Sequence, residues 1–208
     1  MAAALQNSQT LQNLMRAFAG ESQARNRYTF AAALCRQQQF HVLDAVFTFT
    51  ANQEKEHAEI FYNHMKEASG QKVSIQADYP VDITNDICEL LRKAKDNEFA
   101  EFDPVYPDFA RVAREEGFPE IASSFQQIAE IERSHGSRFA YYADLLEQGK
   151  LFVSDSECGW FCLNCGHIQQ GREAPSSCPV CGHPQGFFIR LEMAPYGGPG
   201  VLTDKPRL

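Results

Sequence analysis

No stretch of the 208 residues approaches the roughly 20 consecutive apolar positions that a helix needs to cross a bilayer. Positions 1–10 also lack the basic start and apolar segment of an export leader. A chain that neither spans nor enters a membrane, working in the cytoplasm, is the expectation. Positive charge is scarce as well: 19 Lys and Arg stand against 27 Asp and Glu, for a net charge of -8, and no basic cluster breaks the pattern. Such a surface repels phosphate, so nucleic acid and anionic membranes are not expected partners. No GxGxxG fingerprint is present, so a dinucleotide should bind on some other protein.

What is there divides unevenly. Residues 1–150 are rich in Ala, Glu, Gln, Arg and Leu, with Pro and Gly gathered around 71–80, 104–107 and 117–119, which is helical composition with a few breaks. Four helical segments are expected, at about 10–38, 41–69, 84–116 and 119–148. Two short connections and one long one join them, the pattern of a four-helix bundle with a crossover. Pro119 suits a first helical turn. Pro104 and Pro107 should kink or interrupt the third helix, because an interior proline removes a backbone hydrogen bond. Beyond a boundary near 150–157, Gly, Pro, Cys and Ser dominate residues 151–193, which predicts a small domain of short strands and tight turns. Residues 194–208, with Pro195, Gly197, Gly198, Pro199 and Gly200, read as a flexible extension.

The expected core stripes carry the chemistry. On the second helix, steps of four and three give Leu43, Phe47, Thr50, Glu54, His57 and Phe61; on the fourth they give Ile121, Phe125, Ile128, Glu132, His135, Phe139, Tyr142 and Leu146. Each seam is mostly apolar except for a Glu and a His three residues later. The first helix contributes Leu14, Phe18, Glu21, Ala24 and Tyr28, and the third Leu91, Ala94, Glu98, Glu101 and Val105. Glu21 precedes Glu54 by 33 positions and Glu98 precedes Glu132 by 34, so two helix pairs of one design are expected to face each other.

Several carboxylates buried together are strongly unfavourable unless something neutralises them. Two cations do so directly, and one Glu from each of two helices plus an ExxH from each of the other two is a recurrent ligand set of dinuclear sites in bundles. The donors suit iron or manganese and admit zinc. One ExxH alone is usually an accident of surface composition; two on apolar seams are not. Glu101, three residues past Glu98, is as well explained by solvent as by metal. Tyr28 and Tyr106 either hydrogen-bond the site or fill core, while Glu56, Glu59, Glu115, Glu116 and Glu130 lie off the seams and should be solvated.

Of 7 cysteines, four form two CxxC pairs, Cys162/Cys165 and Cys178/Cys181, separated by twelve residues and each followed by glycine, Gly166 and Gly182. An odd total concentrated in CxxC pairs reads as a tetrahedral metal site in a reducing compartment, not a disulfide framework. Spacing leaves structural zinc and redox iron equally open. Cys158 reads as a spare thiol, and Trp160, Phe161, Phe187 and Phe188 as packing for the small core.

These motifs resemble the rubrerythrin family over about 11–189. Ala19-Gly-Glu-Ser-Gln-Ala-Arg-Asn-Arg-Tyr28 and Glu54-Lys-Glu-His57 are similar to its first half. Phe109-Ala-Arg-Val-Ala-Arg-Glu-Glu-Gly117 and Glu132-Arg-Ser-His135 are similar to its second half, and Cys162 to Cys181 to its rubredoxin-like tail. The resemblance implies an all-α, ferritin-like bundle with a non-haem diiron centre and a tail iron held by Cys162, Cys165, Cys178 and Cys181. It implies Glu54 and Glu132 as bridging ligands, Glu21, Glu98 and His135 as terminal ones, and Glu101 exchanging with His57 as the irons change oxidation state. Tyr28 and Tyr106 become tyrosines that support the ligands. The implied activity is reduction of hydrogen peroxide to water. Electrons arrive through the tail iron, ultimately from NADH by way of a separate reductase or rubredoxin, in a homodimer whose tail faces the partner's diiron site. Pro104 departs from the family pattern close to Glu101. Two rivals follow from the same residues: an iron-oxidising, iron-handling protein of ferritin type, and an interaction module in which both sites hold structural zinc.

Overall fold

The computed structural model describes residues 4–196, so residues 197–208 of the expected extension lie outside the described part. Five helices build the bundle: α1 (Gln9–Gln37), α2 (His41–His64), α3 (Ile87–Ala100), α4 (Tyr106–Glu115) and α5 (Pro119–Glu147). The third bundle helix is α3 and α4 together, interrupted as Pro104 and Pro107 foreshadowed. Residues Glu101–Val105 form a wide π-type turn in which Asp103 leaves helical geometry (φ -154°, ψ 118°) and the Asp103–Pro104 peptide is cis. No described helix is long and apolar enough to cross a membrane.

Local chemistry sets the helix ends. The Ser8 hydroxyl accepts from the Leu11 amide at 2.9 Å, and the Asp86 carboxylate accepts from Cys88 and Glu89 amides at 2.8 and 3.1 Å, so α3 begins at Ile87 and not at the expected position 84. Helix α2 stops at His64, short of the expected position 69, and tightens into a 3-10 turn at Lys66–Ala68.

Glu56, Glu59, Glu115 and Glu130 are exposed, but Glu116 is not a solvated surface residue. Its carboxylate accepts the Gln9 amide (3.0 Å), the Thr10 amide (2.7 Å) and the Thr10 hydroxyl, which makes it a cap for the start of α1 supplied from the far end of α4. Burial pushes its pKa up, but these donors outweigh burial and hold it below the usual carboxylate range. A depressed folded-state pKa stabilises the protein above the unfolded pKa and loses that contribution as pH falls through the folded one. Glu116→Gln is therefore expected to cost about 1 kcal/mol at neutral pH, in the range of lost N-caps. The difference from wild type should shrink towards pH 3 in denaturant titrations.

The bundle interior is split in two. One apolar cluster contains Tyr28, Leu43, Phe47, Leu91 and Phe139, the other Leu14, Phe61, Tyr106, Phe125 and Ile128. Between them lies a belt of buried Glu and His. On one side of it Gly136 of α5 packs on the Phe99 ring, where a Cβ would sit 3.1 Å from the nearest ring carbon. The close approach brings α5 against α3.

The small domain is an antiparallel sheet of β1 (Val153–Cys162), β2 (Ile168–Glu173) and β3 (Phe188–Arg190) in the order β2-β1-β3, with Trp160 opposite both Gln169 and Arg190. Trp160 and Phe188 fill its core, and the indole N–H donates to the Gly171 carbonyl at 3.1 Å. Phe187 packs against the small core as expected and also stacks on His41 with centroids 3.8 Å apart, whereas Phe161 departs from the small-core packing expected of it and packs towards the bundle. Beside that stack the backbone of Gly186 presses on the α1–α2 turn so closely that a Cβ would lie 1.7 Å from the Gln39 carbonyl oxygen. Ile189, Leu191 and Met193 extend the contact, as does Ala194, which is buried and so does not begin a free extension.

Candidate metal centres

The belt is formed by the four seams. Glu21 of α1, Glu54 and His57 of α2, Glu98 of α3, and Glu132 and His135 of α5 are all buried, four of them completely. Their ligand atoms fall into two overlapping groups, Glu21–Glu54–His57–Glu132 and Glu54–Glu98–Glu132–His135, with the atoms of each group within 4.8 Å of one another. Glu54 and Glu132 belong to both. His57 Nδ1 lies 2.9 Å from Glu132 Oε1 and 3.2 Å from Glu54 Oε2; His135 Nδ1 lies 2.8 Å from Glu132 Oε2 and 2.9 Å from Glu54 Oε1.

Apart from the pair His57 Nδ1 and Glu54 Oε2, proximity here is not hydrogen bonding. Glu21 Oε2, Glu54 Oε1, Glu98 Oε2, both Glu132 oxygens and His135 Nδ1 are buried, and none has a well-directed partner among the described residues. Unsatisfied buried oxygens are costly. Groups that crowd together without aiming at one another are instead arranged around points between them, and two cations placed there would satisfy the set. The donor chemistry fits two iron ions.

Electrostatics without metal say the same. Burial, followed by repulsion from Glu132, drives the Glu21 carboxyl well above its usual range; burial and then Glu54 do so for Glu98. Burial would also raise Glu132, yet His135 and His57 together hold it down to about 2. Burial works against charge on both imidazoles, but their carboxylate neighbours prevail: His135 is raised to about 11, and His57 is raised also. The metal-free belt thus retains protons where cations would otherwise stand.

Two phenols close the belt. Tyr28 donates to Glu98 and Tyr106 to Glu21, each reaching across from one helix pair to the other. Glu101 stands apart: it is half-buried, belongs to neither group, and lines a cavity of about 360 Å³ together with Gly20, Tyr79, Asn97 and Tyr106. Burial and the nearby Glu21 and Glu98 raise its pKa. Sequence reasoning missed Gln53 and Arg138. Gln53 Oε1 meets His135 Nε2 at 3.1 Å and Arg138 Nη1 at 3.3 Å. Both lie off the seams, and only adjacency to Glu54 and a one-turn offset from His135 hinted at them.

The second centre is built by two matching turns. The Gly166 amide donates to the Cys162 carbonyl and the Gly182 amide to the Cys178 carbonyl, each at 2.9 Å, with φ of 77° and 74° in the left-handed region that glycine favours. The four thiols converge: Cys162 and Cys181 Sγ are 3.8 Å apart, Cys165 and Cys178 Sγ 3.6 Å. Metal–sulfur bonds of about 2.3 Å in a tetrahedron place sulfurs about 3.8 Å apart, so the residues fit a four-thiolate metal. The His183 backbone N–H pulls the Cys181 thiol down to about 6, preparing a thiolate. Cys158 stays outside the set, and Cys165 is exposed at the tip of the domain.

A four-helix bundle with a paired carboxylate–histidine belt, joined to a small four-cysteine sheet, defines a ferritin-like diiron protein carrying a rubredoxin-like domain. A family model described as Rubrerythrin matches residues 12–143, and one described as the rubredoxin-like domain of rubrerythrin matches 160–189. Rubrerythrin of Clostridium perfringens is 44% identical over 185 residues, covering 88% of this chain and 95% of that protein. Rubrerythrin of Nitratidesulfovibrio vulgaris is 38% identical over 187 residues, covering 90% and 96%. Among solved structures, nigerythrin in a mixed-valence state superposes with a TM-score of 0.59 at 26% identity over 89% of this chain and 90% of that one. A bacterioferritin of Desulfovibrio desulfuricans shares the fold at 22% identity, with a TM-score of 0.60 over 68% and 81%. The chain belongs to the rubrerythrin family.

Proposed function

We propose that the protein is a non-haem diiron peroxidase that reduces hydrogen peroxide to water, with electrons supplied through the iron of its four-cysteine domain. The observation that carries this reading is the presence, in one chain, of two overlapping Glu/His groups that share Glu54 and Glu132 and of four converging thiols. Glu54 and Glu132, common to both groups, would hold both ions, Glu21 and His57 would complete one set of ligands, and Glu98 and His135 the other. When bound, the two irons supply one electron each and the positive charge that favours cleavage of the O–O bond. Reduction of one peroxide to two waters would consume those two electrons and two protons.

The chain's own groups do the rest. Tyr28 and Tyr106 hold Glu98 and Glu21 in place through their hydroxyls. Burial keeps bulk water out of the belt, and the cavity lined by Glu101 and Tyr106 lies next to it, where a small oxidant would approach. The family resemblance implies that Glu101 would exchange with His57 as the ligand of one ion. Its place at the cavity wall, within the field of Glu21 and Glu98, is compatible with that movement.

The four-cysteine domain docks on the start of α2 through Phe187 and His41, and Glu54 lies thirteen positions beyond His41, about 20 Å along the helix. A long path within one chain favours a homodimer in which each tail serves the partner's bundle. Reductant comes from a reductase or rubredoxin linked to NADH, in the cytoplasm, where thiols stay reduced.

Stopped-flow oxidation of the fully reduced, iron-loaded protein tests the reading. Rapid stoichiometric reoxidation by hydrogen peroxide, with O₂ at least about tenfold slower under the same conditions, is expected. Preference for O₂ coupled to uptake of added ferrous iron would instead identify an iron-handling protein.

A further inference from the structure

The two histidines of the belt are held differently. Both turn Nδ1 inward, but among the described residues only His135 has a polar support behind it, Gln53 Oε1 at 3.1 Å from Nε2. That oxygen is fixed from the other side by Arg138, whose Nη1 lies 3.3 Å from it and 3.0 Å from Thr50 Oγ1. Thr50 is buried and donates its hydroxyl proton to the Val46 carbonyl at 3.1 Å, which leaves an oxygen lone pair facing the guanidinium. Arg138 also lies over the Phe49 ring, 5.1 Å from its centroid.

The donor inventory fixes the direction of each bond. A guanidinium only donates, so the Gln53 atom it meets is the carbonyl oxygen and not the amide nitrogen. An oxygen with two lone pairs then faces the imidazole and accepts from it, so Nε2 bears a hydrogen. When a metal displaces the Nδ1 proton, which leaves to solvent, the remaining proton stays on Nε2, and the Nδ1 lone pair points at the space shared by Glu54, Glu98 and Glu132. Outer hydrogen bonds of this kind orient metal-binding imidazoles and fix their tautomer.

We propose that Gln53, clamped by Arg138 and Thr50, is a positioning residue that locks His135 in the tautomer and orientation needed to bind metal at the Glu98 side of the belt. Among the described residues His57 has no such clamp. The proposal rests on the metal-binding reading of the belt, and it is independent of which oxidant the protein reduces.

Zinc, which is diamagnetic and does not cycle, allows a test without turnover. The full-length protein is loaded with zinc at both centres, its histidine nitrogens are followed by ¹⁵N NMR, and zinc affinity of the belt is measured by competition with a chelator. The wild type should show His135 protonated at Nε2 with slow exchange of that proton. Gln53→Met should speed this exchange and weaken belt affinity by about 10–100-fold, the usual cost of losing an outer partner. Gln53→Glu, which keeps an acceptor, should restore affinity to within a few-fold of wild type. A His135 proton on Nδ1, or unchanged affinity and exchange in Gln53→Met, overturns the proposal. Should Gln53→Met not fold, Arg138→Met carries the same comparison, and unchanged values there overturn it equally. Failure of the wild-type belt to take up zinc while the cysteine site fills counts against the metal-binding reading itself, which separates the two outcomes.

Discussion

Glu54→Ala is expected to empty the bundle of paired metal while leaving the four-cysteine iron in place, so that iron per chain falls from about three to about one. Glu54 is singled out because its two oxygens serve different neighbours: Oε1 lies 2.9 Å from His135 Nδ1 and Oε2 3.2 Å from His57 Nδ1. One truncation therefore removes a donor from both positions. Glu21→Ala, which touches only one group, should spare the other metal. A thermal scan gives a second readout. Ferrous iron at 100 times its dissociation constant stabilises a protein that binds it only when folded by about 2.7 kcal/mol, so the wild-type midpoint should rise with added iron under anaerobic conditions. The bundle contribution to that rise should vanish in Glu54→Ala. Retention of paired iron by the variant would remove Glu54 from the ligand set and the bridged geometry with it.

Cys162→Ser separates the two centres. Cys162 is buried, and its sulfur lies 3.8 Å from that of Cys181, so serine removes one of four thiolates without opening the bundle. The expected result has two halves. Chemically reduced variant should be reoxidised by hydrogen peroxide at the wild-type rate. Its subsequent re-reduction by NADH and a reductase should slow by at least about 10-fold, since losing a ligand costs no less than the 10–100-fold typical of losing an outer partner. The visible absorption of thiolate-bound ferric iron should disappear in parallel. Unchanged turnover with reductase would mean that electrons reach the bundle by another route and that the cysteine domain is structural.

The belt was legible because helical periodicity is a strong constraint. A Glu and a His three residues apart on a seam otherwise made of Phe, Leu and Ile have to point inward, and the composition of the seam tells that story before any coordinate does. Pro104 announced the break between α3 and α4 for the equally local reason that it lacks an N–H. What escaped was set by contacts between residues far apart in the chain. Glu116 reads as surface from its helix, yet α4 ends where α1 begins, and two amides and a hydroxyl claim it. Gln53 and Arg138 look like ordinary polar positions until α2 and α5 meet at His135. Phe187 has the composition of a small-domain core residue, and only docking on His41 reveals its second role. The helix ends at His64 and Ile87 were missed for a smaller reason, the caps that terminate each turn.

The seat of Gly186 on Gln39 has a kinetic meaning. With no room even for a methyl group at that junction, the four-cysteine domain packs directly on one end of its own helices, about 20 Å along α2 from Glu54. If each tip serves a neighbour, specific turnover should fall on dilution as pairs come apart, whereas the single burst of oxidation by peroxide should not depend on protein concentration at all.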